Sequence, residues 1–145
     1  MITNRSVPAN ILLPHLYYQN LDEAINWLSG VFGFEEHYRY GEPVQGAQMN
    51  LGDAWIMVGG FRSDDRGSPS QIGAGTQSLT IFLDDVDAHF ARSKSAGAMI
   101  VEELHETPYG ERQYGVKDLE GHHWLFAKHV RDVSPDEWGA TIRSR

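Results

Sequence analysis

Cysteine is absent from the 145-residue chain. That excludes disulfides, thiolate metal sites and a cysteine nucleophile together. Basic residues are scarce. Lys plus Arg is 12 and Asp plus Glu is 20, so the formal charge is 12 − 20 = −8. Without a cationic cluster the chain is a poor partner for nucleic acid or an anionic membrane surface. No apolar run approaches ~18 residues, so no membrane-spanning segment is expected. Residues 1–10 carry Arg5 but no apolar stretch of the kind a secretory signal needs. The expectation is a cytoplasmic protein with neither nucleic-acid nor membrane partners. Its 41% hydrophobic and 22% charged residues mark a globular rather than a disordered chain. The length suits one domain, 1–145, that can bury a core unaided.

The first apolar segment is Ile11 to Gln19, where Pro14 points to an edge strand or a bulge. Asn20 and Glu23 are spaced as a capping box, and Leu21, Ala24, Ile25, Leu28 and Phe32 follow at helical spacing. This predicts a helix over 21–32, with Gly33 as its stop. Strands are expected over 34–40, 45–51 and 54–58, with Gly52-Asp53 as a turn. Residues 61–75, rich in Ser, Asp, Gly and Pro, read as a linker. The order then recurs. A strand over 78–83 precedes a helix over 86–96 capped by Asp85, and strands follow at 100–104, 113–117 and 123–128. Ser134-Pro135-Asp136-Glu137 is a capping box that predicts a C-terminal helix over 134–142.

The recurrence extends to residues. Asn20-Leu21-Asp22 matches Asp85-Val86-Asp87, and the turn before Trp55 matches the turn before Trp124. The reading is an α+β fold of two tandem βαβββ modules, 11–60 and 76–130, that form two cupped mixed sheets. Neither module buries its sheet face alone.

Such tandem units resemble the vicinal oxygen chelate superfamily of glyoxalases, bleomycin resistance proteins and dioxygenases. The resemblance rests most on 84–89, on Ala96-Gly97-Ala98, on 108–114 and on 118–124. Relatives often have Asp-Pro-x-Gly at the last turn, where this chain has Leu119 in place of the proline. The resemblance implies eight strands, a pocket in the concavity and a homodimer. In metal-using members it implies four His, Gln or Glu ligands, one from the first and one from the last strand of each module. Counting from this chain's own turns places those positions at Leu13, Ile56, Ser78 and Leu125. Aliphatic side chains bind no metal and serine is a poor ligand, so no metal and no cofactor are expected. A shift of register by two would bring in His15 and His123, and with them a divalent metal.

The expected ligand-binding residues are His15, Tyr17, Met57, Ser78, Phe82, Arg112, Tyr114 and His123. His15 shares a strand face with Tyr17. His122 and His123 point oppositely, one packing in the turn and the other facing the pocket. Arg112, flanked by Tyr109 and Tyr114, either clamps an anionic ligand or pairs with Glu102, Glu103 or Asp118. Trp27, Trp55 and Trp124 read as core. No catalytic residue stands out. The expected function is a metal-independent binder of a small organic ligand in an apolar cleft, of the bleomycin-resistance kind. The alternatives are a metal-dependent lyase or isomerase of the glyoxalase type, or a dioxygenase-related enzyme.

Overall fold

The structure, a computed structural model, describes residues 12–60 and 66–143. Arg5, Ile11 and linker residues 61–65 lie outside the described residues. Contacts divide the chain into two compact units, Met1–Thr76 with Asp118–His122, and Gln77–Lys117 with His123–Arg145.

In the first unit, β1 (His15–Tyr18) begins directly after Pro14, whose carbonyl still accepts the Met57 amide at 2.9 Å. Pro14 has no amide to give, so the strand starts beyond it and lies at the sheet edge. α1 (Leu21–Trp27) is capped as its sequence predicts, with the Glu23 amide donating to Asn20 Oδ1 at 3.3 Å. It was expected to stay α-helical to residue 32. Instead Leu28–Phe32 widens into a π-helical turn that ends at Gly33, φ 86°. Ser29 and Gly30, weak α-formers, lie within that turn. β2 (Glu35–Tyr40), β3 (Gly46–Leu51) and β4 (Ala54–Gly60) complete a mixed sheet of order β1-β4-β3-β2, with β1 parallel to β4. Leu16, Tyr18, Ala47, Met49, Ile56 and Val58 are buried on one face of this sheet. They share the unit's core with Leu21, Ala24, Ile25 and Leu28 of α1. Burying each large apolar side chain of this layer contributes roughly 1.5–3 kcal/mol.

The expected linker contains a helix, α2 (Pro69–Ile72). Ser68 and Gln71 form a capping box with Pro69 at the first helical position, the same signature as at Ser134. Glu120 completes this region. Its carbonyl accepts the Ser70 amide at 3.0 Å, and its carboxylate accepts the amides of Gln19 and Asn20 at 2.6 and 3.0 Å. Asp118 accepts the Tyr18 hydroxyl at 2.6 Å and the amides of Glu120 and His122 at 3.0 Å each. The last turn, with Leu119 in place of proline, is thereby fastened to the end of β1. Burial, reinforced by the Asp118 and Glu120 charges, holds the Tyr18 hydroxyl well above its ordinary pKa.

The second unit repeats the order with β5 (Ser78–Phe82), α3 (Val86–Ser95), β6 (Met99–Glu106), β7 (Glu111–Lys117) and β8 (His123–His129). Its sheet runs β5-β8-β7-β6, with β5 parallel to β8. The fold is α+β, two four-stranded mixed sheets built from tandem βαβββ modules. α3 buries only Val86 and Ser93, so hydrogen bonds help to dock it. Tyr114 Oη lies 2.8 Å from Ser93 Oγ and 2.6 Å from His89 Nδ1. The C-terminal helix expected over 134–142 is a single 3-10 turn, Pro135–Trp138, stopped by Gly139 at φ 103°. Among the described residues no helix is long and apolar enough to cross a membrane.

Candidate functional site

Strand alternation gives each sheet a helix-packed face and an open face. In the first sheet Ala47 and Met49 are buried on the helix side, so Gln48 between them belongs to the open face. Register places Gln48 in a row with Tyr38 on one side and Met57 on the other, and Met57 pairs in turn with His15. A bulge between Glu36 and Tyr38 brings His37 to the same face. His37 Nδ1 lies 2.6 Å from Gln48 Oε1, and its ring packs edge-on against Trp55 at 5.1 Å. The Tyr38 hydroxyl reaches the Met57 sulfur at 3.8 Å. Tyr17 also faces this side, with the Arg66 guanidinium 5.8 Å from its ring centre.

Gln48 is fully buried, and its Nε2 has no partner among the described residues. An unpaired buried amide end costs roughly 1–3 kcal/mol. A fold keeps such a group where a ligand or water completes it.

In the second sheet Ser78, Thr80 and Phe82 alternate outward, Phe82 being 61% exposed, and share their face with His123 and Leu125. His123 Nε2 is buried without a partner among the described residues. Farther along, Glu102 Oε1 takes the Gln113 amide at 2.9 Å and lies 3.1 Å from His105 Nε2. That cluster is internally satisfied.

Of the residues singled out from sequence, His15, Tyr17 and Met57 fall on the open face of the first sheet, and Ser78, Phe82 and His123 on that of the second. Arg112 and Tyr114 need correction, because their parity puts them on the helix side. Arg112 donates to Asp87 of α3 at 2.7 Å, not to Glu102, Glu103 or Asp118. That hydrogen bond holds the Asp87 carboxyl below its usual range. Burial pushes the Tyr114 hydroxyl up to about 12, opposed by its bond to Ser93. His122 packs in the turn, 4.8 Å from the Tyr18 ring, and donates from Nε2 to the Tyr17 carbonyl at 2.8 Å.

Trp55, His37, Tyr38 and Gln48 escaped the sequence reading. Aligning Trp55 with Trp124 put Trp55 in the core and Ile56 on the open face. The structure reverses both. The helix caps are 85 − 20 = 65 residues apart, which equates His15 with Thr80. His15 pairs with Met57 and Thr80 with Leu125, so Met57, not Ile56, is the counterpart of Leu125. Starting the count at the helix caps would have found this.

A groove of about 660 Å³ in the first unit is lined by Gln19, Asn20, Asp22, Val44, Ser70 and Glu120 among others. In its wall, both carboxylate oxygens of Glu120 already accept backbone amides.

Residues 10–126 match the family model of the Glyoxalase/Bleomycin resistance protein/Dioxygenase superfamily. The chain belongs to this superfamily. Among curated proteins of similar sequence are the uncharacterized protein Rv0887c of Mycobacterium tuberculosis and the uncharacterized protein Mb0911c of Mycobacterium bovis. Each is 31% identical across 92% of this chain and covered over 83% and 93% of its own length, respectively. TioX from Micromonospora sp. ML1 is 34% identical, with a TM-score of 0.70 over 84% of this chain and all of its own. A lactoylglutathione lyase from Agrobacterium tumefaciens shares the fold at 22% identity, with a TM-score of 0.63 over 83% of this chain and 94% of its own.

With the register corrected, the positions that the superfamily's metal-using members fill with ligands hold Leu13, Met57, Ser78 and Leu125. Two aliphatic chains, a thioether and a hydroxyl do not fit zinc, nickel or iron. Among the described residues no three His, Asp or Glu side chains converge as a metal site.

Proposed function

We propose that this superfamily member binds a small organic ligand on the open face of its first sheet, without a metal and without changing the ligand chemically. The observation that carries the reading is the buried, half-paired Gln48 amide among Trp55, His37, Tyr38 and Met57. An apolar, aromatic surface with few polar anchors is the usual chemistry of small-molecule sites. The donor set at the four ligand positions supports metal independence. The reading includes a homodimer in the cytoplasm. Its support is the edge strand β6, where Met99 and Val101 are 62% and 45% exposed.

One observation favours the second reading, a lyase or isomerase with a divalent metal: the unpaired Nε2 of His123 is a ready ligand. Metal analysis of protein purified without chelator, with a hemithioacetal turnover assay, separates the two. Binding alone predicts far less than one equivalent of metal and no turnover. Stoichiometric zinc or nickel with turnover replaces it by the lyase.

A further inference from the structure

We propose that the Gln48 amide is the polar anchor of this ligand, that the ligand is a planar aromatic molecule carrying a hydrogen-bond acceptor, and that it enters by displacing Tyr38 from Met57. The inference deepens the proposed function and rests on it. Tyr38, Gln48 and Met57 form one lateral row across β2, β3 and β4. The Tyr38 hydroxyl therefore reaches the Met57 sulfur across the strand that carries Gln48, and it roofs the amide. A thioether is a weak acceptor, so the roof is cheaply opened. Beneath it, Gln48 Oε1 is held by His37 Nδ1, and Nε2 is the end left over. With His37 donating to Oε1, the unmet group is a donor, and only an acceptor completes it. The Trp55, His37 and Tyr38 rings pack on one another beside it, an aromatic setting that suits a planar aromatic molecule. An aliphatic ligand would leave those faces poorly matched, and a donor-only aromatic would oppose one N–H to another.

The test uses the ¹⁵N-labelled full chain with three flat bicyclic probes. Coumarin carries an acceptor, naphthalene carries none, and indole carries only a donor. Coumarin is expected to bind about tenfold more tightly than naphthalene, the scale of one neutral hydrogen bond to an otherwise unpaired group. It should also shift the Gln48 side-chain amide resonances. Gln48→Leu should erase that preference while leaving naphthalene binding intact, and Gln48→Met serves if the leucine variant folds poorly. Tyr38→Phe should tighten both probes by about two- to threefold, because no hydroxyl–thioether contact must be broken. Equal binding of coumarin and naphthalene at this face, unchanged in Gln48→Leu, overturns the anchor but leaves the binding face standing. A preference for indole overturns the assigned class of ligand. Binding of none of the three overturns both the anchor and the proposed function.

Discussion

Tyr114 and Gln48 are both buried polar residues, yet they behave oppositely. Tyr114 is surrounded by partners, with Ser93 and His89 on α3 taking its hydroxyl. Gln48 has a partner at one end only. The first arrangement is structural and makes a pH prediction. Burial raises the Tyr114 hydroxyl from the ordinary value near 10 that it has in the unfolded chain to about 12 in the fold. The raised value means its stabilising contribution is whole below pH 10 and is lost as pH rises toward 12. The loss approaches about 3 kcal/mol by linkage. Urea denaturation of wild type and Tyr114→Phe at pH 7, 10 and 11.5 checks this. The variant should be less stable at pH 7 by about 1–2 kcal/mol, and the gap should close as pH rises. A gap independent of pH would show that Tyr114 titrates normally. Nothing in the sequence around Tyr114 or Arg112 distinguishes a pocket residue from a helix anchor. Both sit one residue from the open face, and only register against β8 decides. Gln48 was invisible for a related reason. A lone glutamine in a strand has meaning only once its row-mates Tyr38 and Met57 are known.

Elements were far more legible than side chains, because caps and turns are local chemistry. The caps Asn20 and Asp85, and the stop Gly33, fall where the sequence puts them. Helix α2 is the exception, although Ser68-Pro69-Ser70-Gln71 carries the same capping-box signature as Ser134-Pro135-Asp136-Glu137. The difference was the polar setting of 61–75, which suggested a linker. Two turns bear testable weight. Gly110, at φ 92°, ends the Thr107–Gly110 turn, and a Cβ there would stand 2.2 Å from the Arg131 carbonyl oxygen. Gly110→Ala therefore combines a left-handed alanine with a backbone clash. It should cost at least about 2 kcal/mol, read as a lower urea midpoint at unchanged slope. In the other turn both Glu120 carboxylate oxygens accept backbone amides. Glu120→Gln turns one acceptor into a donor facing an N–H. It should lower stability by about 1–3 kcal/mol at neutral pH. A neutral effect would mean water already serves those amides.

At the scale of the whole molecule, the duplication is what the sequence disclosed best. Two copies of one pattern imply two sheets of the same order, and both occur, β1-β4-β3-β2 and β5-β8-β7-β6. The copies have diverged in chemistry. The first sheet presents an aromatic surface with an unfinished amide, whereas the second presents His123 and, farther along, the closed Glu102–Gln113–His105 cluster. The proposed homodimer rests on the exposed edge strand β6. Light scattering at micromolar concentration should report twice the 16.3 kDa chain mass, and a species of single chain mass would dismiss the homodimer. The central claim is that the first sheet's open face takes an organic ligand unaided by metal. The measurement that meets it directly is an NMR titration of the ¹⁵N-labelled protein with coumarin in excess EDTA. The account predicts saturable shifts centred on His37, Gln48, Trp55 and Met57, undiminished by the chelator. Shifts that appear only when a divalent metal replaces EDTA, or that centre on residues away from this face, would contradict it.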